Sequence, residues 1–494
     1  MPTKTALISD DLRITYGELQ RRVEALATLL QIRGVAQGDR VALYLENSIE
    51  FAVAVHAALL IGAVFVPISP QTKSDKLNYM LGDTRAKVLL TDTRLNPVWR
   101  SAVTNVASIT ACIAVGAPSD DDTAFPWPIP DSNDARRSQT PPTTADDLAA
   151  IIYTSGTTGV PKGVMLTHLN MCSAWNSVQS YLQLREDDVI GLALSPSFSY
   201  GLYHLLMGLG LGATLVLERS AAFPQKIVER LARERVTVFP GVPTLFSSIL
   251  WLSNLASFDL SVLRIVTNAA AALPEAHVQR IREVLPNAQL FSMYGMTECK
   301  RISYLPPEQL KFRPGSIGRG MPGQEHWLID ADGRRLANGA TGELVVRGKH
   351  VMRGYWEKTL ATAERLKPDS VSGEPVLHTG DIFRSDDEGW LYFVARNDDI
   401  IKSRGEKVAP REVENAIYAI PSVRDCAVIG VPDEHWGEAV KAFVTLREGA
   451  QLTEREVIRH CLARLESYMA PKFVEFVVDL PRTDSGKVRK MDLR

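Results

Sequence analysis

From Asp39 to Pro67 the chain passes from an apolar strand, Asp39-Arg40-Val41-Ala42-Leu43-Tyr44-Leu45, through a helical stretch, Asn47 to Ile61, into a second apolar strand, Ala63-Val64-Phe65-Val66-Pro67. Strands that are apolar along their whole length need cover on both faces, which a parallel sheet flanked by helices supplies. Further apolar strands recur at Lys87–Thr91, Asp188–Leu194, Thr214–Leu217, Val236–Val242, Leu263–Thr267 and Gln289–Tyr294, with helices expected over Met165 to Leu182 and Pro224 to Arg233. The fold class is therefore α/β. Helical spacing of leucines and valines over 14–36 adds a helix near the start, ending by Gly34.

From about Arg313 the pattern changes to short strands with turn signals, at Trp327–Asp330, Gly342–Gly348 and Gly389–Val394, a β-rich subdomain of about 313–397. Past Asp398 comes a compact α+β segment with helices expected at Pro410 to Ile420 and Glu454 to Leu465. The expected organisation is a large domain of parallel-type sheets, 1–397, followed by a small one, 398–494. A single core rarely grows to 494 residues, which agrees with two domains.

Charge excludes one class of function. With 55 basic and 57 acidic side chains there is no electrostatic footprint for nucleic acid or an anionic membrane, so small-molecule chemistry is expected. Five cysteines lack paired or metal-like spacing, which fits a reducing compartment. The N-terminus has no long apolar run of the signal-peptide type, so a cytoplasmic location is expected. The apolar tracts Phe51–Pro67 and Gly201–Leu217 each hold a histidine and internal glycines, and each predicts a buried helix running into a strand, not a membrane span.

Directly after the apolar run Leu148–Ile152 stands Tyr153-Thr154-Ser155-Gly156-Thr157-Thr158-Gly159-Val160-Pro161-Lys162-Gly163. Glycines that let backbone N–H groups approach closely, hydroxyl donors and one lysine have the composition of a polyphosphate cradle. Pro161 stands where the common P-loop needs its second glycine, so a different nucleotide chemistry is implied.

Read with four later motifs, Tyr294-Gly-Met-Thr-Glu298, Thr379-Gly-Asp381, Arg396-x-x-Asp399-x-x-Lys402-x-x-Gly405 and Pro481-Arg-Thr-Asp-Ser-Gly-Lys487, the chain resembles the AMP-forming acyl ligases over nearly its whole length. That family includes acyl-CoA synthetases, adenylation domains of peptide synthetases and luciferase. The resemblance implies ATP and Mg²⁺, activation of a carboxylic acid as acyl-AMP with pyrophosphate release, then transfer to coenzyme A. An amine or a carrier protein is the alternative acceptor, and a monomer or homodimer is expected.

Residue by residue, the resemblance makes Lys487 the lysine bridging carboxylate and α-phosphate, Thr297 a phosphate contact, and Glu298 the Mg²⁺ carboxylate. Thr154, Ser155, Gly156, Thr157, Thr158 and Lys162 would hold phosphates. Asn268, Ala269, Ala270, Met293, Tyr294 and Gly295 would line the adenosine site, with Asp381 and Arg396 on the ribose. Asp398 matches the hinge about which the small domain turns to bring in Lys402 and Gly405, with Trp436 along coenzyme A. Phe198, Tyr200, Pro240, Gly241, Val242 and Cys299 form the expected acyl pocket, whose apolar character favours an aromatic, alicyclic or medium-length aliphatic acid over a dicarboxylate. His204 reads as a core histidine. The adjacent Lys300-Arg301 pair is compatible with phosphate, an acidic substrate tail or a solvated helix face.

Overall fold

The computed structural model describes residues 1–116, 124–128, 138–154, 160–271, 273–369, 371–396, 399–403, 406–433, 437–483 and 486–493. Among them the largest sheet carries a parallel run in the spatial order Gln289–Tyr294, Ile265–Asn268, Val238–Gly241, Val189–Leu192, Thr214–Leu217 and Thr5–Ser9. Beyond Gln289–Tyr294 the same sheet continues with antiparallel strands Ser303–Leu305, Ser316–Gly320, Leu391–Arg396, Pro375–Ser385, Thr341–Gly348 and Gln324–Ile329. The β-rich region is thus an extension of the sheet edge. At the opposite edge, Thr5–Ser9 folds back on Leu12–Thr15 in a hairpin absent from the sequence reading.

A second sheet runs Gly354–Tyr355, Lys162–Thr167, Leu148–Thr154, Val64–Ile68, Arg40–Tyr44, Val88–Asp92, Ala111–Val115 and Phe125–Pro126. The main core fills the space between the two sheets and takes in both apolar tracts. Each tract is a helix feeding a strand: Ile49–Leu60 into Val64–Ile68, and Ser199–Leu211 into Thr214–Leu217. Ser48 caps the first helix through its hydroxyl, and Gly212, at φ 80°, ends the second in the left-handed region. No described helix is long and apolar enough to cross a membrane.

One expected boundary shifts. Met165 to Thr167 complete a strand, and the helix begins only at His168. The cause is a capping box, in which Asn170 N–H donates to Thr167 Oγ1 and Thr167 N–H donates to Asn170 Oδ1.

The small domain packs strands Ile401–Ser403, Glu406–Val408, Val423–Asp433, Gly437–Leu446 and Phe473–Phe476 against helices Pro410–Tyr418 and Glu454–Leu462 around its own core. Arg447 lies over the Trp251 ring of the large domain at 4.4 Å, and Trp251 in turn meets the His277 ring at 4.9 Å.

Candidate active site

The site forms where parallel strands of the large sheet end, the place an α/β sheet offers to ligands. Asn268, at the end of Ile265–Asn268, is fully buried; its amide donates to Ala271 O at 3.0 Å, while Oδ1 has no hydrogen-bond partner. Ala270 follows at φ 72°, a left-handed backbone that a residue with a Cβ adopts only under strain. On the neighbouring strand Tyr294 sets its ring edge-on to Phe383 at 4.9 Å and donates its hydroxyl to the Asp381 carboxylate.

Asp381 is 8% exposed. Its Oδ1 has an ion-pair contact of 3.3 Å to Arg396 Nε but no hydrogen bond. Desolvation holds the carboxyl above its usual range, opposed by Arg396, the Tyr294 hydroxyl and Lys487. Buried acceptors are ordinarily satisfied, so Asp381 Oδ1 and Asn268 Oδ1 together suit a ligand that brings hydroxyl and amino donors, as a nucleoside does.

The strands flanking the cradle lie in the second sheet, with Thr154 opposite Lys162. Gly163 beside it has no room for a side chain, since a Cβ there would stand 2.6 Å from Ile151 Cγ2. Ser155, Gly156, Thr157 and Thr158 lie outside the described residues. Lys162 Nζ sits 5.5 Å from the centre of the Tyr355 ring, and the Tyr355 hydroxyl donates to Glu298 Oε1 at 2.7 Å. Tyr355 thereby links Lys162 to the carboxylate beside Thr297. No motif pointed to it. Its only local signal is the short Arg353-Gly354-Tyr355 segment, and its partners lie far away in sequence. Arg365 was missed in the same way, and its charge bears on both Asp381 and Tyr355.

Glu298 is buried and offers hard oxygen, and no cluster of three potential metal ligands occurs among the described residues. One carboxylate fits Mg²⁺, which keeps water and phosphate oxygens as its other ligands.

Lys487 arrives from the far end of the chain on a tight loop, in which Thr483 N–H donates to Lys487 O at 2.7 Å and Lys487 N–H donates to Thr483 Oγ1 at 3.1 Å. Gly486 faces the large domain: a Cβ there would meet Thr244 Oγ1 at 3.4 Å. Much of the Lys487 side chain meets solvent, yet its amine is held below the usual lysine range by desolvation and by Arg396, while Asp381 and Glu298 pull it back up. The small domain therefore stands with Gly486 against Thr244 and with the charges of Asp381 and Glu298 acting on Lys487. Lys402 lies in the strand Ile401–Ser403; Asp398, Gly405 and Trp436 lie outside the described residues.

On the acyl side, Phe198 precedes the helix Ser199–Leu211, and the Tyr200 hydroxyl shares a hydrogen bond with Thr267 Oγ1 at 2.7 Å. Pro240 and Gly241 end the adjacent strand, Val242 caps the helix that follows, and Gly241 must be glycine because a Cβ would stand 2.4 Å from Phe246 Cζ. Cys299 has no exposed surface and packs in the main core. Met293 is also in that core, its sulfur accepting from the Tyr181 hydroxyl at 3.2 Å. His204 is the expected core histidine, with Nδ1 2.8 Å from Tyr200 O and a pKa pushed down to about 3 by burial and the nearby Lys300 charge. Lys300 and Arg301 form no solvated helix face: they are 4% and 2% exposed.

Known proteins similar to this chain match it over its whole length. A family profile described as "AMP-binding enzyme" matches residues 1–356, and one described as "AMP-binding enzyme C-terminal domain" matches 412–487. A feruloyl-CoA synthase from Amycolatopsis sp. is 34% identical over 497 residues, covering 100% of this chain and 96% of that one. An anthranilate CoA ligase solved with anthranoyl-AMP superposes with a TM-score of 0.89 at 28% identity, covering 100% of this chain and 94% of that one. An amide bond synthetase from Marinactinospora thermotolerans gives a TM-score of 0.89 at 26% identity, covering 99% and 96%. The chain belongs to the AMP-binding enzymes, the AMP-forming acyl-CoA synthetase superfamily.

Proposed function

We propose that this enzyme activates an acid with an apolar or aromatic body, using Lys487 at the bond-making step and Lys162 on the departing pyrophosphate. The observation that carries the assignment is the contact of 3.3 Å between the buried Asp381 and Arg396, with Glu298 and the small domain's Lys487 close enough for their charges to act on one another. Two anions must meet in adenylation, so positive charge is needed where negative charge develops on the α-phosphate. Lys487 is the small domain's cation for that place. Asp381 accepts from the ribose hydroxyls, Tyr294 borders the adenine, and Thr297 donates to the α-phosphate. Glu298 would hold Mg²⁺, which when bound neutralises phosphate charge.

In the second half-reaction the small domain turns about Asp398, withdrawing Lys487 and presenting Lys402 and Gly405 toward coenzyme A. The aromatic walls Phe198 and Tyr200, and the likeness to feruloyl-CoA synthase, support an aromatic-type acid. The test is acid-dependent pyrophosphate release across a panel of carboxylic acids, repeated with coenzyme A or with free amines and read by mass spectrometry. Acyl-CoA is the expected product. Lys487→Ala is expected to lower release at least 100-fold while ATP still binds, a loss of the size seen when a transition-state charge contact is removed. Release retained in that variant refutes the role given to Lys487, and amide in place of thioester would make the acceptor an amine.

A further inference from the structure

We propose that Lys300 and Arg301 form a buried basic subsite beneath the acyl pocket that selects an acid bearing a second carboxylate at the end remote from the reacting one. The inference rests on the ligase reading above and adds the class of acid to it.

Three observations carry it. First, Lys300 and Arg301 are 4% and 2% exposed, yet neither has an ion pair with a carboxylate among the described residues. The Lys300 amine donates to Ser199 O at 2.9 Å and lies 4.5 Å from the Tyr203 ring centre and 5.3 Å from that of Tyr200; the Arg301 guanidinium lies 5.1 Å from Tyr200. Ring faces attract a cation but do not neutralise it. A buried charge without a counterion is strongly unfavourable, and an apolar side chain of the same volume would pack here at no such cost. Second, Arg301 Nε is buried without a hydrogen-bond partner, so the cluster offers a donor that the protein itself does not use. Third, the chain is shaped to turn the pair inward. Lys300 sits at φ 60°, and the turn closes so tightly on Gly295 that a Cβ there would stand 2.4 Å from Lys300 O.

The location fits substrate recognition. Lys300 touches Ser199 and Tyr200, and Tyr200 is bonded to Thr267, one residue before Asn268 at the nucleotide end. An acid whose reacting carboxyl lies by Thr297 and Lys487 would direct its body toward this wall. A guanidinium matches a carboxylate by paired hydrogen bonds, and a lysine adds a point charge. Burial and the Arg301 charge hold the Lys300 amine well below its usual range, so an arriving carboxylate favours its protonation.

The test compares matched pairs on the full-length enzyme: benzoate with terephthalate, 3-phenylpropanoate with 3-(4-carboxyphenyl)propanoate, and hexanoate with adipate. The readout is kcat/KM for acid-dependent pyrophosphate release. At least one diacid is expected to exceed its monoacid by tenfold or more. Lys300→Met and Arg301→Met should each reduce that ratio at least tenfold, and diacid binding measured by calorimetry in buffers of different ionisation enthalpy should show proton uptake that Lys300→Met removes. Monoacids preferred in every pair, or a ratio unchanged in both variants, overturns the subsite. Release with no acid at all would instead overturn the ligase reading beneath it. The wild-type panel decides even where a variant fails to fold.

Discussion

Arg447→Ala tests one contact that helps hold the small domain in the pose in which the Asp381 charge acts on Lys487. The guanidinium lies 4.4 Å from the Trp251 ring centre, and Trp251 is 40% exposed, so the contact is only partly desolvated. A cation over an aromatic face contributes about 0.5–1 kcal/mol at an exposed site and about 2 when desolvated. Taking about 1 kcal/mol, the docked pose loses about fivefold in population relative to the undocked one. The same arginine acts on His277, whose pKa is pushed down to about 4 by burial and then by the Arg447 charge. Its removal should therefore raise the His277 titration. The assays are a rapid-quench burst of pyrophosphate with saturating ATP and acid, and a histidine titration followed by NMR. Arg447→Ala is expected to slow the burst by up to about fivefold with the Kd for ATP unchanged, and Trp251→Leu to do the same. The double variant should lose no more than either single one, because both remove one contact. Strictly additive losses, or a His277 titration that does not move, refute the latch.

Three further perturbations test other parts of the structure. Tyr355→Phe leaves the buried Glu298 oxygen without its donor, a loss of about 1–3 kcal/mol, which should appear as a roughly tenfold higher KM for ATP in pyrophosphate-release kinetics. Asp188→Ala breaks a buried pair with Arg264, whose Nε donates to Oδ1 at 2.8 Å; the expected loss is about 3–5 kcal/mol in chemical denaturation. Desolvation alone would raise the Asp188 carboxyl, but hydrogen bonds from Arg264, Thr237 and Arg185 outweigh it and hold the pKa below the ordinary value. That pair's stabilisation should be complete above about pH 4 and fade as pH falls through the lowered pKa, so wild type and Asp188→Ala should converge in stability only under acid conditions. Lys402→Ala should slow transfer to coenzyme A more than adenylation, so that acyl-AMP accumulates in single-turnover quench; equal losses in both half-reactions contradict its place on the acceptor side.

The strand-helix alternation was legible because buried strands and amphipathic helices write their burial into local pattern, as in Ile49–Leu60 and Val64–Ile68. Glu298, Asp381, Arg396 and Lys487 were legible as motif residues, although nothing local distinguishes Lys487 from the basic side chains around it. Tyr355 was not, because its role exists only when two sheets meet. Met165 to Thr167 read as helix because an apolar run fits either period, and only the Thr167–Asn170 cap decides the boundary. Charge pattern misleads most at Lys300 and Arg301: adjacent cations suggest solvent, whereas a left-handed turn at Lys300 folds them inside.

The Tyr355 tie has a mechanical meaning. Gly354–Tyr355 pairs with Lys162–Thr167 of one sheet, while the Tyr355 hydroxyl grips Glu298, just past the end of a strand in the other. On the proposed function, the nucleotide seat is a stator, bolted across both sheets by this tie. Lys487 belongs to the rotor. Lesions in the tie should loosen the grip on ATP and leave the swing intact, whereas lesions in the small domain should leave the grip intact and spoil the timing of the stroke.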